Sequence, residues 1–371
     1  MLKTMWLRAI LLGVLVAALG IPPGGLTALA RQTEGPQGAP PTQEPAPPQV
    51  PSGQPQGQSQ TGAQPSQQAA PQTSISVESN LVNLDVVVTD ESGDVLTGLT
   101  KNNFRISDNG QPQQITNFTP SEAPITMVIL MEFSRLYGGF FAYKAREWSY
   151  SLLNALTAKD WVALKTFSLK THVEQDFTQN KNEIGHAIAS LFFPDFSEAN
   201  LFDAVLETLD ELRDVKGKKS ILLLATGFDT FSKHNLDQTL NTVKESDVPI
   251  FSVGIAEDID LRSAGGADVS YLQARNQLNT FANLTGGYAW FPRFQGEMPD
   301  IFNSVAAYLR SQYTLGFNPS TMQDGKFHKL KVEAVDDQGN PLLFTDQKGK
   351  KKKTIVHARS GYMANISAPA D

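Results

Sequence analysis

The feature that most constrains the fold is an alternation of apolar runs with amphipathic stretches between residues 121 and 311. Three short apolar runs, Ile125–Met131, Ser220–Ala225 and Pro249–Ile255, are typical of strands buried on both faces of a parallel sheet. Stretches such as Leu201–Val215 carry apolar residues at three- and four-residue spacing, which predicts helices. The pattern predicts an α/β fold, a doubly wound and mostly parallel six-stranded sheet with helices on both faces.

The remaining elements of this part follow the same rule. A tight turn and a more polar pattern predict that Thr171–Phe177 is an antiparallel edge strand. The other predicted strands are Trp161–Phe167 and Tyr288–Pro292, and the other predicted helices are Phe141–Leu156, Lys181–Leu191, Leu236–Ser246, Tyr271–Leu284 and Met298–Ser311.

The segments on either side, residues 74–120 and 312–364, are predicted to be all-β. Apolar residues alternate with mostly polar ones from Val82 to Val88, and Asn109-Gly110 is a hairpin signal. Each segment is small for an independent domain, so we predict that the two pack into one small β-sandwich interrupted by the α/β domain. Besides the strand near Val82, the predicted strands are Phe104–Ser107, Gln114–Phe118, Tyr313–Phe317, His328–Val335 and Thr354–Arg359.

Two charged runs in these segments are interpreted as solvated turns. Asp90–Asp94 clusters carboxylates, but its spacing does not fit a calcium-binding EF-hand loop. Lys350–Lys353 is interpreted as a loop that protects a strand edge, with binding to anionic lipid or a polyanion as the alternative.

The amino-terminal segment predicts export. Lys3 and Arg8 precede the apolar run Ala9–Gly20, and Ala28-Leu29-Ala30 supplies a cleavage site, so residues 1–30 are predicted to be a signal peptide. An uncleaved membrane anchor is the alternative. Residues 31–73 are rich in Pro, Gln, Gly and Ser and predict a disordered linker, and residues 365–371 a short tail. We expect a periplasmic, secreted or envelope-associated protein.

Composition excludes several function classes. The 371-residue chain has a formal charge of −7, and without a basic groove it is a poor candidate for nucleic-acid binding. It contains no cysteine, which excludes disulfides and thiolate sites. The five histidines show no metal-ligand spacing, and no hydrolase or nucleotide-binding motif is present. We therefore expect no catalytic residues and no small-molecule substrate.

The order of elements resembles a von Willebrand factor type A domain, and the flanks resemble the VWFA-related Acidobacterial domain family. The likeness covers about residues 79–363. Its flanking motifs include VNLDVVVTDESGDVLTGLTKNNFRISDNG and SQYTLGFNPSTMQDGKFHKLKVEA. Within the α/β part it rests on ITMVILMEFS, NLFDAVLETLDEL, KSILLLATGFD, VPIFSVGI and ANLTGGYAWFP.

The resemblance implies a metal-ion-dependent adhesion site, in which carboxylates and hydroxyls on three loops hold Mg²⁺. Here that site is degenerate. Glu132 replaces the first aspartate and Ser134 is kept, whereas Thr226 stands at the position of the second aspartate. Asp229 is close enough in sequence to rescue the site, although an exposed loop carboxylate is the simpler interpretation.

Two further departures weaken this metal site. Leu136 and Ala199 stand where the family has hydroxyl residues, and Arg135 adds a positive charge beside the cation position. We expect no cofactor, with Mg²⁺ or Mn²⁺ at a distorted site as the alternative.

The function predicted is an exported, non-enzymatic module that binds a protein partner through the loops at one end of the sheet. The predicted contact residues are Phe133, Arg135, Tyr137, Phe196, Asn200 and Phe228. Membrane attachment is expected only if the amino-terminal segment stays uncleaved. Metal-dependent adhesion and an uncharacterised envelope enzyme are the two alternatives.

Overall fold

The computed structural model describes residues 81–120, 123–135, 149–191, 196–255, 269–319, 324–345 and 349–364. All of them belong to one compact unit, Ser74–Asp371. The predicted signal peptide, linker and tail lie outside the described residues, as does Tyr137.

The described elements follow each other along the chain. The strands are β1 Val82–Asp90, β2 Phe104–Asp108, β3 Gln111–Gln113, β4 Ile115–Pro120, β5 Ile125–Glu132, β6 Trp161–Phe167, β7 Thr171–Thr178, β8 Lys218–Ala225, β9 Ile250–Gly254, β10 Ala289–Trp290, β11 Tyr313–Phe317, β12 Phe327–Ala334, β13 Leu343–Thr345, β14 Lys351–His357 and β15 Gly361–Met363. The helices are α1 (described over residues 149–155), α2 Lys181–Ser190, α3 Leu201–Leu212, α4 Leu236–Glu245, α5 Val269–Thr285 and α6 Met298–Arg310.

A six-stranded sheet in the order β10-β9-β8-β5-β6-β7 forms the centre of the molecule. Neighbouring strands are parallel except for β7, which runs antiparallel to β6 at the edge. Strands and helices alternate along this part of the chain, so the α/β class predicted from the sequence is confirmed.

Strand β5 shows why helices cover both faces of the sheet. Successive side chains of a strand point to opposite faces. Met127 and Ile129 lie in one buried cluster with residues of α1, α2 and α6, whereas Val128 and Leu130 lie in another with residues of α3, α4 and α5. The unbroken apolar run is therefore required by the two helical layers.

The flanking segments form two further sheets. One has the order β13-β14-β1-β11-β4, and the other β15-β12-β2-β3. Residues from both sheets share one buried cluster, to which β1 contributes Leu84, Val86 and Val88. The turn predicted at Asn109-Gly110 joins β2 to β3, and both residues have positive φ, 47° and 82°, as a tight two-residue hairpin turn requires. The predicted partner strand, Gln114–Phe118, corresponds to β4, which pairs with β11 in the other sheet.

The charged run Asp90–Asp94 forms the predicted turn, with Glu91, Ser92 and Asp94 exposed, but its first residue is buried, and the lysine run is not a loop. Lys351–Lys353 lies within β14, where the Lys352 ammonium donates to Asp90 Oδ2 at 3.0 Å. Asp90 ends β1 and is buried, and its Oδ1 also accepts a bond from the Ser92 N–H at 2.7 Å. Pairing between distant strands thus overrides the local preference of charged residues for solvent.

Several boundaries also differ from the prediction. Helix α3 ends at Leu212 and not at Val215, and the strand predicted at Tyr288–Pro292 has only two residues. Strands β3, β13 and β15 were missed because each is only three residues long, too short for a periodic pattern.

Candidate functional site

The candidate site lies where β5 ends, at the carboxyl edge of the central sheet. Glu132, its last residue, is completely buried. Its Oε2 accepts hydrogen bonds from the Thr226 N–H at 2.8 Å and from the Thr226 hydroxyl at 2.7 Å, and its Oε1 accepts one from the Ser134 hydroxyl at 2.8 Å. Three of the predicted metal-site residues therefore meet, because β5 and β8 are adjacent parallel strands.

The Glu132 carboxyl is held by neutral groups. Burial raises its pKa, and the hydrogen bonds from Thr226 and Ser134 lower it by less, so the net shift is above the ordinary value. Mg²⁺ requires six oxygen ligands in an octahedron, whereas here the hydroxyls of Thr226 and Ser134 direct their protons at the carboxylate. The oxygens gathered here, from one carboxylate and two hydroxyls, are fewer than the six that Mg²⁺ requires.

The Thr226 side chain extends the network into the next loop. Its hydroxyl oxygen accepts a bond from the Phe228 N–H at 3.0 Å. The turn between them needs Gly227, whose φ is 88° and whose missing Cβ would lie 2.4 Å from the Ala274 carbonyl oxygen on α5. The loop after β8 is thereby fixed to both Glu132 and the helical layer.

The segment Phe196–Asn200 connects the loops that follow β5 and β8. The Phe196 carbonyl accepts from the Arg135 N–H at 2.7 Å, and the Ala199 carbonyl accepts from the Thr230 N–H at 2.8 Å. The Asn200 N–H donates to the Ser168 carbonyl at 2.8 Å, beyond the end of β6. The carboxyl end of the sheet is a surface of hydrogen-bonded loops.

Asp229 has a role that the sequence did not reveal. The interpretation as an exposed loop carboxylate is corrected: Asp229 is half-buried, and its Oδ1 accepts from the Phe202 N–H at 3.1 Å and from the Ser232 hydroxyl. It thus satisfies a free N–H at the start of α3. No hydrogen bond links it to Glu132, Ser134 or Thr226 among those of the described residues.

Asp203 and His234, whose roles the sequence analysis overlooked, complete this cap. The Asp203 N–H donates to the Ser232 hydroxyl at 3.0 Å, and Asp203 Oδ1 lies 2.7 Å from His234 Nδ1. Burial raises the pKa of Asp203, but hydrogen bonds from Lys233 and His234 lower it by more. An acidic residue in the first turn of a predicted helix was the available signal.

The predicted contact residues differ in exposure. Phe196 is 45% exposed, and Phe231, in the loop that follows β8, is 55% exposed. Arg135 is exposed, Phe133 and Phe228 are half-buried, and Asn200 is buried. Phe196 and Phe231 are therefore the most exposed of the described aromatic side chains in these loops. The backbones of both residues form hydrogen bonds within the loop network.

Comparison with known proteins gives a family match for the α/β part. Residues 127–282 match the model of the von Willebrand factor type A domain. The match does not reach the flanking β segments, whose assignment to a narrower family remains a prediction. No curated protein matches the chain in sequence.

Three solved structures illustrate the structural neighbourhood. A von Willebrand factor type A protein from Catenulispora acidiphila is 11% identical, with a TM-score of 0.41 over 76% of this chain and 75% of its own. BatB from Bacteroides thetaiotaomicron is 11% identical, with a TM-score of 0.40 over 50% of this chain and 100% of its own. The vWF domain of the type V pili tip protein Mfa5 from Porphyromonas gingivalis is 12% identical. Its TM-score is 0.38 over 50% of this chain and 94% of its own. Likenesses at this level carry no information about partners.

Proposed function

We propose, from the premise that residues 127–282 form a von Willebrand factor type A domain, that this chain is a non-enzymatic module that binds a protein partner without a metal ion. The contact surface is the aromatic loop surface, defined as Arg135, Phe196, Phe228 and Phe231. The observation that carries the proposal is the hydrogen-bonded network around Glu132 at the edge of the sheet where loops with exposed aromatic side chains also meet.

The aromatic loop surface has the chemistry of a contact site. Exposed phenylalanine side chains lose unfavourable contact with water when a partner covers them. Aromatic residues and arginine are enriched among the residues that dominate binding energy at protein interfaces. The loops beneath are tied together by backbone hydrogen bonds, so the surface is largely preorganised and binding costs less conformational entropy.

Site-specific photo-crosslinking tests this proposal. A photoreactive phenylalanine analogue is introduced at Phe231 or, as a matched control, at Trp161, which is 44% exposed at the opposite end of the sheet. We expect crosslinks to a protein at Phe231 only, and we expect Phe196→Ala to abolish them. Equal crosslinking at both positions would contradict the aromatic loop surface.

Metal-dependent adhesion is the second candidate, and one observation favours it. Asn200 Oδ1 is buried and has no hydrogen-bond partner in the part of the chain that is described, as an unused oxygen ligand would be. Calorimetry with Mg²⁺, Mn²⁺ and Ca²⁺ separates the two candidates. We expect no binding heat and no shift in melting temperature; saturable heat that Glu132→Gln removes would establish the adhesion site instead.

An uncharacterised enzyme is the third candidate, and its support at the carboxyl end of the sheet is the Asp203–His234 pair. A serine nucleophile needs a hydrogen bond to its base. Ser232, the nearby serine, donates to Asp229, and Ser134 donates to Glu132. We therefore propose a structural role for the pair.

We further propose that the module works outside the cytoplasm and that the two flanking sheets form a β-sandwich that carries it. Support for export is the amino-terminal sequence pattern. Within the described residues, no helix is long and apolar enough to cross a membrane. Support for the sandwich is the buried cluster that the two sheets share. Fractionation of cells that produce the full chain tests export, and recovery in the cytoplasm would contradict it.

A further inference from the structure

A second concave site lies at the amino end of the central sheet, opposite Glu132. A cavity of about 490 Å³ opens between the start of β8, the turn before β9 and the five-stranded flanking sheet. Its lining includes the cations Lys218, Lys219 and Arg359 and the carboxylates Asp85 and Asp247. Small-molecule sites commonly occupy about 300–1,000 Å³, so the cavity has room for a ligand.

Lys218 is the least satisfied of these charges. It is only 7% exposed, and within the described residues its ammonium makes one long hydrogen bond, 3.4 Å, to the Leu309 carbonyl. An ammonium group has three donors, so two of them have no acceptor in the part of the chain that the structure describes. Burial lowers the pKa of Lys218 to about 8, although nearby Asp85 acts in the opposite direction.

Arg359 also has a donor to spare. One of its terminal nitrogens, Nη2, donates to the Asn83 carbonyl at 2.9 Å, but its Nε is buried and has no partner among the described residues. A guanidinium presents its donors in a fixed planar fork, which matches the geometry of carboxylates and phosphates. An oxyanion in the cavity would supply the missing acceptor.

The carboxylates of the cavity do not balance these two cations. Asp247 is paired with Lys219 at 3.0 Å, and Lys219 also donates to the Leu212 carbonyl at 3.0 Å. Asp247 also acts electrostatically on Arg359, together with Asp85, which acts on Lys218 as well. The Asp85 Oδ1 already accepts from the Thr314 hydroxyl at 2.7 Å. Two carboxylates therefore face the three cations Lys218, Lys219 and Arg359.

We propose that this cavity binds a small oxyanion, a carboxylate or phosphate group, through Lys218 and Arg359. The exposed turn residues Arg213 and Lys216, which also line the cavity, add positive charge near its entrance. Such an anion replaces the water that these buried donors have lost. The site is separate from the aromatic loop surface, and neither depends on the other.

Titration of the full-length protein with inorganic phosphate and with succinate, at constant ionic strength set by sodium chloride, tests the proposal. We expect saturable binding heat in the millimolar range or tighter and a rise in melting temperature for at least one anion. Lys218→Met should weaken binding by about tenfold or more, because it removes a charged donor and keeps the length of the side chain. Lys331→Met is the matched control, since Lys331 is an exposed strand lysine paired with Glu333.

The outcomes separate the possible ligands. Phosphate binding alone indicates phosphorylated ligands, and succinate binding alone indicates organic acids. The absence of saturable heat with both anions, or equal affinities in Lys218→Met and Lys331→Met, would overturn the proposal.

A measurement on the unaltered protein covers the case in which Lys218→Met does not fold. Mass spectrometry measures the rate at which Lys218 is acetylated. The bound anion should slow this rate and leave the acetylation rate of Lys331 unchanged. If phosphate and succinate at saturating millimolar concentrations leave both rates unchanged, the site does not exist.

Discussion

Two buried carboxyl groups stand at opposite ends of strand β5, and they are stabilised in different ways. Asp160 accepts hydrogen bonds from the Ile125 N–H at 3.0 Å and from the Thr157 N–H at 2.7 Å, and it forms an ion pair with Arg310. Among the described residues, Glu132 accepts only from neutral groups, on Thr226 and Ser134. Both side chains are almost inaccessible to solvent.

The pKa shifts of the two groups have opposite signs. Burial raises the pKa of both, but for Asp160 the bonds from Arg310, Ile125 and Thr157 outweigh burial, and the pKa falls below its ordinary value. For Glu132 burial dominates and the pKa rises. A cationic partner therefore decides which end of the strand holds a stable negative charge. The carboxyl end of β5 resembles a cation site, yet this is the end at which burial disfavours the ionised form of the carboxyl group.

The largest effect on stability is expected when the Asp160 charge is removed. Asp160→Asn leaves Arg310, whose side chain is 30% exposed, without its ion pair, and should destabilise the protein by about 3 kcal/mol. Urea unfolding at neutral pH measures this. The matched control is Asp210→Asn, which breaks an exposed pair with Arg213 and should cost less than about 1 kcal/mol. Equal losses of unfolding free energy in the two variants would show that the buried ion pair stabilises the protein no more than the exposed one.

An intermediate effect on stability is expected for His328, because its imidazole can lose its charge. His328 Nδ1 lies 2.9 Å from Asp108 Oδ1, and Nε2 lies 3.2 Å from Asp324 Oδ1. Burial lowers the pKa of His328, but the hydrogen bonds to Asp108 and Asp324 raise it by more. The stabilisation is therefore complete below about pH 6.5 and is lost as pH rises through the folded pKa.

His328→Gln tests this contribution. The variant should lose about 2 kcal/mol at pH 5.5, since hydrogen bonds to charged groups are the stronger ones, and clearly less at pH 8.5. Unfolding free energies at both values, with the exposed His234→Gln as control, measure the difference. A cost that does not change with pH would show that the imidazole acts only as a neutral hydrogen-bonding group.

The smallest effect is expected at Glu132. Glu132→Gln keeps the shape of the side chain and can accept from Thr226 while donating to Ser134, so stability at pH 7 should change by no more than about 1 kcal/mol. Because the folded pKa of Glu132 is raised, its contribution is present below the unfolded pKa and is lost as pH rises through the folded one.

The pH dependence sharpens the contrast between the two carboxyl groups. Relative to the native protein, Glu132→Gln should gain stability as pH rises above about 4.5. Asp160 has a lowered pKa, so its contribution disappears as pH falls through the folded value, and Asp160→Asn should lose relative stability as pH rises. Slopes of the same sign for both variants would contradict the opposite pKa shifts.

The sequence predicted the layers of the fold better than it predicted the site. Buried strands such as β5 carry their environment in the alternation of side chains, so their place between helical layers is readable locally. The Glu132–Thr226 bond joins residues 94 positions apart, and its geometry depends on which strands are neighbours. Asp229 was misread for the same reason, since the α3 amide it accepts from lies 27 positions away.

Charged cavity residues were not recognisable from local patterns either. Lys218 precedes an apolar run and resembles a solvated strand flank, but packing against α6 and β1 buries it. Arg359 follows β14, and its partner Asn83 belongs to the first described strand. Convergence of this kind depends on tertiary packing, which a single sequence does not encode in any short window.

The position of β1 between β11 and β14 has a consequence for how the chain is made. Thr89 contacts His357, 268 residues later, so the first described strand gains this neighbour only when β14, the second-last described strand, has been made. Contacts of such long range fold slowly, and until β14 emerges the edge of β1 at Val87–Asp90 lacks its partner strand. A premature stop before β14 would therefore produce a chain whose oldest strand has an open edge, a natural substrate for chaperones and proteases.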